Sequence, residues 1–126
     1  MGRHKRFLEC ALGKARLSKG TKRSKHCSII VKGKDKMAVG FNSYITHSEM
    51  YKINKVKPYL HSEVDAIMSV RHLDLKGSTM YIARSTKAGK AAMSRPCSLC
   101  MTMIRMFGID TIVYTTDSSY AVERVA

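Results

Sequence analysis

Along the chain's 126 residues, the spacing of apolar side chains switches repeatedly between the period of a helix and that of a strand. That alternation constrains the fold more than any other feature. Phe7, Leu8, Ala11, Leu12 and Ala15 recur at helical spacing with Lys and Arg between them, which predicts an amphipathic helix over 3–18, stopped at Gly20. Cys27, Ile29 and Val31 alternate with Ser28, Ile30 and Lys32. This predicts strands over 25–33 and 36–42, joined by a hairpin turn at Lys32-Gly33-Lys34-Asp35. Residues 43–60 are polar, aromatic and irregular, a long connection of the kind that carries function in a small domain. Helical spacing returns over 61–73, with Val64, Ile67, Met68 and Leu73 on or near one face. A strand is predicted at 79–84, a second loop at 85–95, and a helix from Pro96 to Gly108, since proline suits a first helical turn. Thr111-Ile112-Val113-Tyr114 reads as a strand, and residues 120–125 pair back on it after the turn Asp117-Ser118-Ser119. The order α-β-β-α-β-α-β-β predicts an α/β sandwich, with one mixed sheet of about five strands and helices on both faces. No repeat, low-complexity tract or linker divides the chain, so residues 1–126 are expected to form a single domain.

Composition narrows the class. Hydrophobic content of 44% and charged content of 25% are ordinary for a globular protein. No apolar run approaches the ~20 residues that cross a bilayer. The basic start Met1–Arg6 has no apolar stretch behind it, and Arg6 occupies the Ser/Thr place of a myristoylation motif. A cytoplasmic protein without a membrane role is expected. In that compartment the four cysteines point to metal binding or burial rather than to disulfides. The net charge of +14 is concentrated at one end: residues 1–36 hold twelve Lys/Arg against Glu9 and Asp35. Such a surface either meets phosphate-bearing partners or only confers solubility.

Two short motifs open the second and third predicted helices: His61-Ser62-Glu63 and Pro96-Cys97-Ser98-Leu99-Cys100. Alone, each is weak. A His-x-Glu is also what an acidic first helical turn looks like, and a Cys-x-x-Cys is also a redox pair, half of a structural zinc site or two buried thiols. Together they are more specific. Cys97 and Cys100 share one helix face, in a first turn where the helix dipole favours thiolate. His61 adds a third ligand from another helix start. Three protein ligands leave one tetrahedral position open, the pattern of a catalytic rather than a structural zinc. Two thiolates and a neutral imidazole balance one Zn²⁺, and Glu63 stands two residues from a ligand, placed to take a proton.

On these motifs the sequence resembles the cytidine/deoxycytidylate deaminase superfamily, and the predicted element order extends the resemblance over most of the chain. The resemblance implies one zinc ion held by His61, Cys97 and Cys100. It implies Glu63 as the proton shuttle of a hydrolytic attack at C4 of cytosine, and Asn42, closing Gly40-Phe41-Asn42, as a contact to the substrate sugar. Asn42 reads equally as a polar residue ending a strand. Ser62 stands where the superfamily most often carries Ala, and its backbone amide still offers a hydrogen bond to the base. Residues 101–116 look most like deoxycytidylate-type deaminases, whereas the chain's C-terminal end is shorter than theirs. Members of this superfamily commonly assemble, so a homo-oligomer is implied.

Among the remaining residues, Met101, Met103 and Met106 are expected to pack in the core, and Cys10 and Cys27 to be buried thiols. His4, His26, His47 and His72 lack a ligand partner at a telling spacing. Tyr44, Tyr51 and Tyr59 either stack on a base or pack their loop, and Arg95 meets either a phosphate or water. Three functions compete. The first is deamination of a free cytosine nucleoside or nucleotide. The second acts on single-stranded DNA or RNA (cytosine, or adenosine in tRNA), with the basic N-terminal third as a backbone track. The third is a non-catalytic nucleic-acid-binding protein on the same scaffold. Glu63 argues against that last function, since a scaffold needs no proton shuttle.

Overall fold

The structure is a computed structural model that describes residues 2–21, 24–43 and 61–125. The tyrosines at 44, 51 and 59, His47 and most of the 43–60 connection fall outside them. Helix α1 (Arg3–Leu17) leads into the antiparallel pair β1 (Lys25–Lys32) and β2 (Asp35–Phe41). Then come α2 (Ser62–Ser69), β3 (Thr79–Ser85), a two-residue β4 (Ala91–Ala92), α3 (Ser98–Met106), β5 (Thr111–Thr115) and β6 (Tyr120–Arg124). The strand order is β2-β1-β3-β5-β6, with β4 added beside β3. Only β3 and β5 run parallel, with α3 in their connection, so the sheet is mixed as expected. The short β4 brings the sheet to six strands.

Period-two alternation on β1 sorts side chains to two layers. Cys27, Ile29 and Val31 pack with Tyr81, Ala83 and Val113 under Phe7, Leu8, Ala11 and Ala15 of α1. On the opposite face Ile30, Met80, Ile82 and Ile112 pack against Val64 and Ile67 of α2 and Cys100 and Ile104 of α3. Helices therefore cover both faces. Each fully buried aliphatic side chain contributes roughly 1.5–3 kcal/mol of transfer free energy.

Two expectations need correction. Helix α2 ends at Ser69, not at 73, and Leu73 is 41% exposed, while Leu75 takes the core position instead. The chain leaves the helix at β-branched Val70 (φ −128°), so helical spacing no longer places residue 73. Met106, at the C-terminal end of α3, is 72% exposed, whereas Met101 and Met103 are buried. Met106 is the last residue of α3, beyond its buried residues Cys100, Met101, Met103 and Ile104, so it is left at the surface. Cys27 is buried as expected, and Cys10 only partly.

Gly40 sets how closely α2 approaches the sheet. A Cβ there would collide with the backbone of Ala66 and Ser62. A second link fixes the same contact: the Asp65 carboxylate accepts the Phe41 backbone N–H at 2.9 Å.

Candidate metal centre

The two motifs meet because each lies at a helix start on the same sheet face. His61 is the N-cap residue of α2 and Cys97 that of α3, both in extended backbone, and neither side chain caps its own helix. Their side chains are thereby left to face each other. The segment before Cys97 is anchored by Ser94, whose hydroxyl lies 2.9 Å from the Ile82 carbonyl and 2.9 Å from the Thr115 hydroxyl. Thr115 in turn donates to Ala92 O at 2.6 Å. Neither Ser94 nor Thr115 carries a motif signal, because their roles come from strand β5 passing beside the loop.

One ligand atom from each of His61, Cys97 and Cys100 can be chosen so that all three lie within 4.8 Å of one another. The His61 Nδ1 is 3.2 Å from Cys100 Sγ and 3.8 Å from Cys97 Sγ. Around a tetrahedral zinc, with bonds near 2.3 Å to sulfur and 2.0–2.1 Å to nitrogen, an N···S edge is ~3.6 Å. Among the described residues the donor set fits one zinc ion in type, number and spacing, with three protein ligands. Two helix N-termini point into the cluster, and their dipoles favour its negative charge.

The two thiols divide one proton between them. A hydrogen bond with Cys100, then one with His61, draws the Cys97 thiol down to about 3. Cys100 is pushed up, first by serving as the partner that keeps the proton and then by burial. Metal binding selects deprotonated sulfur, and the neighbours of Cys97 favour that form.

Glu63 lies in the first turn of α2 and is only 5% exposed. Burial raises its carboxyl pKa, opposed chiefly by the Ser62 hydroxyl, which donates to Glu63 Oε1 at 2.8 Å. Burial and the Ser62 hydroxyl thus pull on the carboxyl in opposite directions, and burial prevails. The Ser62 hydroxyl also lies 2.8 Å from that of Ser28 on β1. Ser28 was not singled out by sequence reasoning; the pairing of its strand with Gly40 brings it there.

Asn42 follows β2, and both ends of its amide are engaged. Its Oδ1 accepts the His26 backbone N–H at 2.8 Å, and its Nδ2 donates to Ser24 O at 3.1 Å. It also lines an open cleft of about 450 Å³ with Phe41, Lys14, Leu17 and Lys19, which contains none of the three metal-binding side chains. His26, without a ligand spacing in the sequence, sits close enough for the charge of His61 to act on it. Burial first, then Arg84 and His61, lowers its pKa to about 4. Arg95 is partly exposed and pairs with Glu123. Its Nε and Nη2 donate to Glu123 at 2.8 and 3.1 Å.

The family model for the cytidine and deoxycytidylate deaminase zinc-binding region matches residues 1–116. Among solved structures, the apo dCMP deaminase from cyanophage S-TIM5 superposes with a TM-score of 0.65 at 20% identity, covering 90% of this chain and 84% of that one. The form of that enzyme in complex with dCMP and dUMP also gives 0.65 at 20% identity, covering 90% of this chain and 82% of that one. The cytidine deaminase from Mycobacterium leprae gives 0.58 at 15% identity, over 97% of this chain and 94% of that one. No curated protein sequence matches the chain significantly.

Proposed function

The chain belongs to the cytidine and deoxycytidylate deaminase family, and from that premise we propose that residues 1–126 form one domain that hydrolyses a cytosine nucleotide or nucleoside to the uracil product and ammonia. The observation that carries this reading is the convergence of His61, Cys97 and Cys100 beside a buried Glu63. His61 Nδ1 and the sulfurs of Cys97 and Cys100 would hold the zinc. When bound, that ion supplies the Lewis acidity that makes water nucleophilic near neutral pH.

Glu63 moves the protons. It accepts one from the attacking water, passes it to N3 of the ring, and delivers another to the departing amine. The C4–N bond breaks, a C4–O bond forms, and ammonia leaves. The dry position of Glu63 keeps its proton from bulk water. In this reading Asn42, which follows β2, contacts the substrate sugar, as the family resemblance implies; the cleft it borders with Lys14 and Lys19 contains none of the metal-binding side chains. Thiols held as free cysteines fit a cytoplasmic protein, and no described helix is long and apolar enough to cross a membrane. A homo-oligomer belongs to the same reading and is tested by light scattering.

The test is a panel of deoxycytidine, deoxycytidine monophosphate, a cytosine-bearing single strand and a tRNA, read out as uracil or inosine. Uracil product from a monomer is expected. Turnover of the strand or tRNA alone would refute the small-substrate reading.

One observation favours the strand. Arg3, Lys5, Arg6, Arg16 and Lys19 on and just after α1 are exposed, and none joins an ion pair among the described residues. This surface lies across the sheet from the metal-binding side chains, so it would grip a strand's backbone away from the reacting base. Oligonucleotide binding that weakens steeply with salt would support it.

A further inference from the structure

The buried hydroxyl pair Ser28–Ser62 has no assigned task in deamination. Both side chains are 0% exposed. Their oxygens are 2.8 Å apart, and Ser62 Oγ is 2.8 Å from Glu63 Oε1. A hydroxyl has one proton to give. Ser62 gives its own to the Glu63 carboxylate, so its oxygen must accept from Ser28. With Glu63 ionised, the order of donation is Ser28 to Ser62 to Glu63. The contact is built in by the backbone, because Gly40 lets the first turn of α2 press against β1 and β2.

We propose that Ser28 and Ser62 are positioning residues: a hydroxyl chain anchored in β1 that holds Glu63 by Oε1 and so commits Oε2 to proton transfer. The proposal rests on the deaminase reading above. A glutamate side chain turns about several bonds, and proton transfer needs a donor–acceptor separation of roughly 2.6–3.2 Å. Fastening one carboxylate oxygen to the sheet removes that freedom before substrate arrives. The tether is a feature of this chain's own pair, in which one serine comes from a helix and the other from a strand.

The test uses the zinc-loaded protein with Ser62→Ala, Ser28→Ala and the double variant, on the cytosine substrate that the wild type turns over best. Alanine is smaller than serine and fits both backbones, so folding should survive. For Ser62→Ala, kcat should fall by about tenfold, the order expected for losing a hydrogen bond to a charged group, with KM unchanged. Ser28→Ala should lower kcat by about threefold in the wild type but not at all in the Ser62→Ala background, because it acts only through Ser62. Zinc content should stay equal throughout. A crystal structure of Ser62→Ala should show the Glu63 carboxyl rotated or in two orientations. Additive losses, a raised KM with unchanged kcat, or an unmoved Glu63 in that crystal would overturn the proposal. If the wild type turned over no cytosine substrate, the deaminase reading would fall, and the crystal would still decide whether the pair holds Glu63.

Discussion

The two faces of one sheet treat the same functional groups differently. On the α1 side, Cys27 lies among Ile29, Val31 and Tyr81, and burial pushes its thiol up to about 12. On the α2/α3 side, Cys97 caps a helix next to Cys100 and His61, and its thiol is drawn down to about 3. One thiol is a small apolar filler and the other a ready metal ligand. Neighbouring residues on β1 show the same division: Cys27 and Ile29 pack under α1, whereas Ser28 bonds to Ser62 on α2. A one-residue step on a strand thus separates a packing face from a chemical one.

The largest predicted contrast is between these cysteines. Cys97→Ala should abolish stoichiometric zinc and turnover together, whereas Cys27→Ala should retain both and lose only stability. Metal analysis of the two purified variants decides this, and full zinc occupancy in Cys97→Ala would break the comparison. Next in size, Glu63→Gln should keep zinc while kcat falls by about 10²–10⁴, the usual share of general acid–base catalysis. Turnover and metal content measured on one sample separate the two effects.

Packing should divide less sharply. Ile29→Ala under α1 and Ile67→Ala under α2 should each cost about 2–5 kcal/mol in urea unfolding, since both side chains are fully buried. Only Ile67→Ala should also weaken zinc retention, because it loosens the helix that begins at His61. A loss of zinc from Ile29→Ala alone would contradict the division.

The smallest predicted effect is a pH dependence from the chemical face. Burial lowers the His26 pKa from 6.5 to about 4, so the unfolded chain binds the extra proton between those values. Its contribution is fully present above pH 6.5 and is lost as pH falls toward 4, by at most about 3.5 kcal/mol at ~1.4 kcal/mol per unit. Urea midpoints across that window should fall with pH, and His26→Asn should flatten the slope. An unchanged slope would remove His26 from this account.

These contrasts were only partly legible in the sequence. Element order and the three metal-binding positions were, because apolar periodicity and the spacing of Cys97 and Cys100 are local signals. Ser28, His26, Ser94 and Thr115 were not, because each acquires its partner through strand pairing or helix approach. The end of α2 was misread at Leu73 because a helical pattern continues past the residue where the backbone leaves the helix. Asn42 was legible as a strand-closing polar residue, yet its two bonds to β1 and its N-terminal flank became visible only in the fold.

The central claim is that the chain replaces an amine with an oxygen taken from water. Its most direct test is to incubate the zinc-loaded protein with deoxycytidine monophosphate in water enriched in heavy oxygen and to weigh the product. The account predicts a uracil nucleotide carrying one heavy oxygen on the base, with one ammonia released per turnover. A recovered cytosine nucleotide, or a uracil product without the label, would contradict it.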